Sequence, residues 1–178
     1  MKKTIYLDNA ATTPLDPVVL DAMLPFLKND FGNPSSTHSF GRKTKNAIEI
    51  NRKKIADYIN ADPSEIVFTS GGTEADNMAL RCAVSDLKVS RIITSSIEHH
   101  AVGHTANHLK DSCNIKVDHV KIDPLGHVDL THLEELLQEK IPTIVSLMHA
   151  NNQIGNIVDL KKVSSICRKY NAYFHSDT

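Results

Sequence analysis

Ser70-Gly71-Gly72-Thr73 stands between a short apolar run at 66–69 and a segment of helical periodicity. Glycines there let the backbone approach a ligand, and the first-turn N–H groups with the Thr73 hydroxyl suit a phosphate. A capped, flexible turn explains the same residues, and the segment has neither a P-loop lysine nor a GxGxxG pattern. Glu98-His99-His100 comes soon after another apolar run, where an imidazole stacks on a flat cofactor or relays a proton. His100, His104 and His108 recur at every fourth residue, which raises zinc. No HExxH or carboxylate ligand stands at a matching spacing, so a solvated helix face accounts for them better and no metal is expected. Asn151-Asn152-Gln153 crowds three amide side chains behind a strand-like run; a turn uses one, and the rest offer neutral, directed hydrogen bonds. Asp177, two residues past His175, reads as a helix cap, a metal ligand or the partner of a protonated ring nitrogen. Residue chemistry alone leaves those three open.

The elements that must position these groups follow from periodicity and turn chemistry. A short strand is expected at 4–7, and a helix from Asp16-Pro17 to about residue 27, opened by a capping carboxylate and a first-turn proline. A loop at 31–36 precedes a long helix at 40–59 with Ile48, Ile55 and Ile59 on its inner face. Strand 66–69 then leads into a helix whose Ala75, Met78, Ala79, Cys82 and Ala83 follow the i, i+3, i+4 spacing. Strands at 91–94, 116–122, 143–148 and 172–175 alternate with helices at 101–109, around Leu133, Leu136 and Leu137, and along Leu160, Val163, Ile166 and Tyr170. Alternation of this kind, with strands apolar on both faces, predicts an α/β fold with a mostly parallel sheet flanked by helices. Ligands of such sheets bind at the carboxyl ends of the strands, where Ser70–Thr73, His99, Asn152 and Asp177 would collect.

Composition narrows the function classes. Twenty basic and twenty-one acidic side chains give a net charge of −1 over 178 residues, so no nucleic-acid-binding surface is expected. No stretch approaches the roughly 20 apolar residues of a membrane span, and no signal-type apolar segment follows the first residues, so the cytoplasm is the expected location. Cys82, Cys113 and Cys167 are odd in number and far apart, which excludes a disulfide framework or a CxxC motif. Cys82 and Cys167 lie on apolar stripes and are expected as small buried hydrophobes.

Taken together, several segments resemble the class V aminotransferase family of pyridoxal 5'-phosphate (PLP) enzymes, specifically cysteine desulfurases of the NifS/IscS type. They are Tyr6-Leu7-Asp8-Asn9-Ala10-Ala11-Thr12-Thr13-Pro14, Gly32-Asn33-Pro34-Ser35-Ser36-Thr37-His38 with Gly41, and Phe68-Thr69-Ser70-Gly71-Gly72-Thr73-Glu74-Ala75-Asp76-Asn77. Thr94-Ser95-Ser96-Ile97-Glu98-His99, Met148-His149-Ala150-Asn151-Asn152-Gln153-Ile154-Gly155 and Phe174-His175-Ser176-Asp177 complete the set. One such segment is a weak signal; six in the right order are a strong one. The resemblance implies the large domain of a fold type I PLP-transferase. Within it, Gly72 and Thr73 would hold the cofactor phosphate, His99 would stack on the ring and act catalytically in proton transfer, Asn152 would bond the phenolic oxygen, and Asp177 would pair with the ring nitrogen. It further implies L-cysteine as substrate, L-alanine and an enzyme persulfide as products, a homodimer, and an iron–sulfur scaffold or other sulfur acceptor as partner. Selenocysteine lyase, an aminotransferase or a non-catalytic fragment are the alternatives.

The sequence departs from the family in two respects. Gln153 stands where the family usually has glutamate. The segments carrying the family's cofactor lysine, carboxylate-binding arginine and loop cysteine are missing, and Cys82, Cys113 and Cys167 match no catalytic position. The resemblance therefore implies that residues 1–178 are an N-terminal segment and the first part of the cofactor-binding domain, without its remainder or the small C-terminal domain. Such a chain would be a fragment, a cleaved product or a split-gene product, and inactive alone. Its strand 66–69 would lack lateral neighbours.

Overall fold

The computed structural model describes residues 4–178, and the chain divides into two compact units, one up to Phe68 and one from Thr69. The first holds α1 (Pro17–Lys28), α2 (Ser39–Ile59) and a short 3-10 turn, Pro63–Glu65. Asp16 caps α1 by accepting from the Val18 N–H at 2.7 Å, as its position before Pro17 predicts. The loop before α2 packs so closely that a Cβ on Gly32 would lie 2.5 Å from the Phe40 carbonyl carbon. One on Gly41 would lie 2.5 Å from the Asn33 oxygen. Both glycines of that segment are thus required by contact between backbones.

Several expectations fail in this unit. Segment 4–7 forms no strand, and Ile5 and Leu7 are exposed. Segment 66–69 likewise makes no ladder; Arg52 donates to the Ile66 carbonyl and its guanidinium lies 4.8 Å from the centre of the Phe68 ring. A strand needs a partner backbone, and apolar runs alone do not supply one. Along α2 the buried residues are Gly41 and Ala56, while Ile55 and Ile59 are exposed.

The second unit contains α3 (Gly72–Ser85), β1 (Arg91–Thr94), α4 (His100–Cys113), β2 (Lys116–His119), α5 (Leu130–Leu137), β3 (Thr143–Ser146), α6 (Leu160–Lys169) and β4 (Tyr173–His175). The four strands are all parallel in the order β2-β1-β3-β4. Central β1 and β3 are buried throughout, whereas edge strands β2 and β4 are partly exposed. Alternation within the central strands splits the core in two. Ile92 and Ile144 pack with Leu80, Val102 and Leu109 of α3 and α4, and Ile93 and Val145 pack with Leu133, Leu137 and Val163 of α5 and α6. This is the expected parallel α/β architecture with helices on both faces. Strand β2 ends at His119, and Ile122 instead makes an isolated antiparallel bridge to Val128.

Helix α3 corrects a stripe. Its buried residues are Asp76, Leu80 and Ala83, while Met78 and Cys82 are exposed. Cys82 is therefore not a core residue; Cys167 is, and burial pushes its thiol up to about 11. Among the described residues no helix is long and apolar enough to cross a membrane.

Candidate active site

The sheet order contains a reversal. From β1 the chain moves outward to β2, then returns past β1 to β3 and on to β4. The crevice between the carboxyl ends of β1 and β3 is thus the topological switch point, where parallel sheets bind ligands. A cleft of about 250 Å³ lies there, lined by Glu98, His99, Asn151, Asn152 and Gln153 among others. A larger groove of about 590 Å³ runs along α5 and α6 and includes no residue of these strand ends.

Two loops frame the cleft, and Glu98 joins them. Its carboxylate accepts from the Ser95 hydroxyl on one oxygen and from the Met148 N–H at 2.9 Å on the other. Burial raises its pKa to about 7 against the pull of those two bonds, and the charges of Asp177 and Asp76 add to the rise. Asn151 supports the second loop: it donates to the Ile97 carbonyl at 2.8 Å and accepts from the N–H groups of Gln153 and Ile154. The turn thus uses Asn151 and leaves Asn152 exposed in the cleft. Gln153 lies beside it.

His99 is the hub of the site. It caps α4, its Nδ1 accepting the Ala101 N–H at 3.1 Å, so the ring proton of the neutral form sits on Nε2. A second recess, of about 380 Å³, places His99 with Thr73, Asn77 and Arg81. Polar atoms of His99, Asp177 and Asp76 all lie within 4.8 Å of one another. The Asp177 carbonyl accepts the His149 N–H at 2.8 Å, which ties the segment after β4 to the one after β3. His99 is therefore brought together with Thr73, with Asn152 and with Asp177. Gly72 opens α3 beside Thr73. His100 and His104 stack with ring centres 5.1 Å apart on the exposed face of α4, as a solvated face predicts.

The start of α3 differs from the other α-helices, each of which has a side-chain cap. Gly71 occupies its N-cap and offers none. A Cβ at Gly71 or Gly72 would meet nothing within 4 Å, so the surrounding space is open. Glu74 turns back to accept from the Ser70 hydroxyl and N–H, both at 2.6 Å, and these bonds hold its carboxyl below the usual range.

Residue-type reasoning missed Asp76 and gave no role to Glu98 or His175. Asp76 is almost fully buried, with Nε2 of His175 at 3.5 Å from its Oδ1. Burial, and then Asp177, push the Asp76 carboxyl up, while His175 and His99 pull it down. Two spacings carry the missed signal. Thr73 and Asp76 are three apart on one helix face, and His175 and Asp177 are two apart in extended chain.

The class-V aminotransferase family profile matches residues 5–178. The cysteine desulfurase IscS of Dictyoglomus turgidum is 48% identical over 99% of this chain and 45% of its own length. The IscS of Methanosarcina thermophila is 42% identical over 98% of this chain and 43% of its own. Among solved structures, a NifS-like protein superposes with TM-score 0.90 at 37% identity, covering 98% of this chain and 48% of that one. SspA in complex with cysteine gives 0.87 at 34%, over 97% and 50%. The chain thus spans about half the length of the curated relatives it matches. With its motifs in order, its parallel sheet and its strand-end site, the chain belongs to the class-V aminotransferase family.

Proposed function

We propose that the whole protein is a PLP-dependent cysteine desulfurase, in which residues 1–178 form the N-terminal segment and the first part of the cofactor-binding domain. The observation that carries this reading is the convergence on His99 of Thr73, at the start of α3, with Asn152 and Asp177 from the segments after β3 and β4. The donor set suits the cofactor. The open, uncapped start of α3 with the Thr73 hydroxyl suits a phosphate, an amide suits a phenolic oxygen, and a carboxylate suits a protonated ring nitrogen. Gly72 and Thr73 would hold the phosphate, Asn152 the phenolic oxygen and Asp177 the ring nitrogen, with His99 against the ring. Bound there, the cofactor supplies an electron sink for negative charge at the substrate Cα.

The chain's own residues prepare that chemistry. Asp177 keeps a proton on the ring nitrogen, and the imidazole of His99 provides a site for moving protons near the reacting carbon. Glu98 holds the His99 and Asn152 loops at a fixed spacing. In the overall reaction the C–S bond of L-cysteine breaks, an S–S bond forms to a cysteine thiol, and the carbon takes up the thiol proton to leave L-alanine. None of Cys82, Cys113 or Cys167 lines either recess, so the persulfide-bearing thiol is assigned to sequence outside 1–178. A homodimer and a sulfur-acceptor or iron–sulfur scaffold partner belong to the same reading. It is supported by the desulfurase names of relatives and by the cysteine complex of SspA.

The test uses the full-length protein, PLP and L-cysteine, with alanine and protein-bound persulfide both measured. Equal amounts of the two are expected, with loss of both in Asp177→Ala. Alanine from selenocysteine but not from cysteine would point to a lyase instead, and no cofactor retention would sink the proposal.

A further inference from the structure

The charges beneath the site do not balance without a proton. Asp76 and Asp177 bring carboxylate oxygens within 4.8 Å of each other, and the Asp76 side chain is only 5% exposed. Two anions that close, one of them buried and the other partly exposed, repel each other. The ionisable groups acting on Asp76 are Asp177, His175 and His99, with no lysine or arginine among them. Glu98, at the start of the α4 loop, adds a further carboxylate to the same field.

His175 is built to answer that charge. Ser146 and His175 are register partners on β3 and β4, and the Ser146 hydroxyl lies 2.9 Å from Nδ1. With Nδ1 engaged, the other nitrogen, Nε2, is the one directed at Asp76, 3.5 Å away. At that distance the pair is in electrostatic contact, longer than a formed hydrogen bond. Burial holds the His175 pKa below its usual value, and the Asp76 and Asp177 charges recover only part of that fall, so the added proton is drawn toward Asp76, whose own carboxyl burial pushes up.

We propose that Asp76 and His175 are positioning residues for Asp177, sharing one additional proton in the chain Ser146–His175–Asp76 and so leaving Asp177 as the single anion that meets a ligand's cationic nitrogen. The count follows directly. Asp76, His175 and one added proton sum to zero charge whichever residue holds the proton. Asp177 then carries one negative charge, which one ring-nitrogen cation neutralises. Without that proton, two carboxylates would face one cation and the site would keep a buried negative charge. The identity of the cation rests on the PLP reading; the shared proton does not.

The experiment uses full-length protein with nitrogen-15 histidine, first without PLP. In the parent, Nδ1 of His175 is expected to carry a proton near neutral pH, whether the shared proton lies on Nε2 or on Asp76, and to lose it only as the pair loses its added proton. In Asp76→Asn its midpoint should fall by about one unit or more, a tenfold or larger change, and Asp76→Glu should restore most of it. A second arm adds PLP labelled at the ring nitrogen. Asp76→Asn should then move the ring-nitrogen titration to lower pH, whereas a merely structural role would weaken PLP equally at all pH values. A parent His175 that carries its proton on Nε2 alone near neutral pH overturns the proposal without any variant having to fold. So do unmoved midpoints in a folded Asp76→Asn. If PLP fails to bind the parent, the functional reading falls while the His175 titration still decides the shared proton.

Discussion

Glu98→Gln should leave the protein about 3 kcal/mol more stable than the parent near pH 8, and should flatten its stability between pH 4.5 and about 7. In the fold this carboxyl keeps its proton to about pH 7, while in the unfolded chain it loses it near 4.5. The folded state therefore binds the extra proton across that window. The associated stability is complete below 4.5, declines as pH rises, and is gone above about 7. Glutamine has nearly the same shape. Its carbonyl can accept the Met148 N–H and its NH₂ can donate to the Ser95 hydroxyl, so neither group is stranded. Urea titrations of both proteins across that range decide the matter. Parallel pH profiles, or a glutamine variant weaker than the parent near pH 8, would refute it. A buried acid retained at this cost makes sense if the ionised form is the better clasp between the two loops.

Arg91→Ala should cost about 3 kcal/mol, the low end of the ~3–5 kcal/mol found when one partner of a buried ion pair is removed. The Arg91 side chain is 0% exposed at the amino end of β1, opposite the site. Its guanidinium donates to the Leu136 carbonyl at 2.7 Å, to Thr143 Oγ1 at 3.1 Å and to Glu139 at 3.1 Å, and Asp118 lies 3.6 Å away. Lys116 contacts both acids, which moderates the loss, but it bonds neither Leu136 nor Thr143. Arg91→Met keeps much of the buried volume and should lose less. A denaturation midpoint for Arg91→Ala within error of the parent would refute the assignment of Arg91 as a structural centre of the sheet.

The two central strands were readable because both faces of each are buried, so Ile92-Ile93 and Ile144-Val145 leave no polar alternation. Segments 4–7 and 66–69 look equally apolar and form no strand, because pairing depends on backbone that a local pattern does not contain. On α3 the periodic reading chose Met78 and Cys82 and passed over Asp76. A buried acid breaks the apolar rule, and it does so beside the candidate site. The position of His99, Asn152 and Asp177 just past strand ends was legible because strand ends follow from strand order. Glu98 and His175 were visible as letters, but their roles depend on atoms 50 and 29 residues away, Met148 and Ser146.

The cap on α4 places a constraint on His99 that a free imidazole does not have. Its one lone pair is already occupied by the Ala101 N–H. A neutral ring in this state offers Nε2–H as a hydrogen-bond donor, and to carry a proton it must take that proton on Nδ1. The incoming proton and the end of the helix therefore compete for the same pair of electrons. Losing a cap of this kind costs a helix about 1 kcal/mol. Under the proposed function, acid–base work at His99 would therefore be interlocked with order in the first turn of α4.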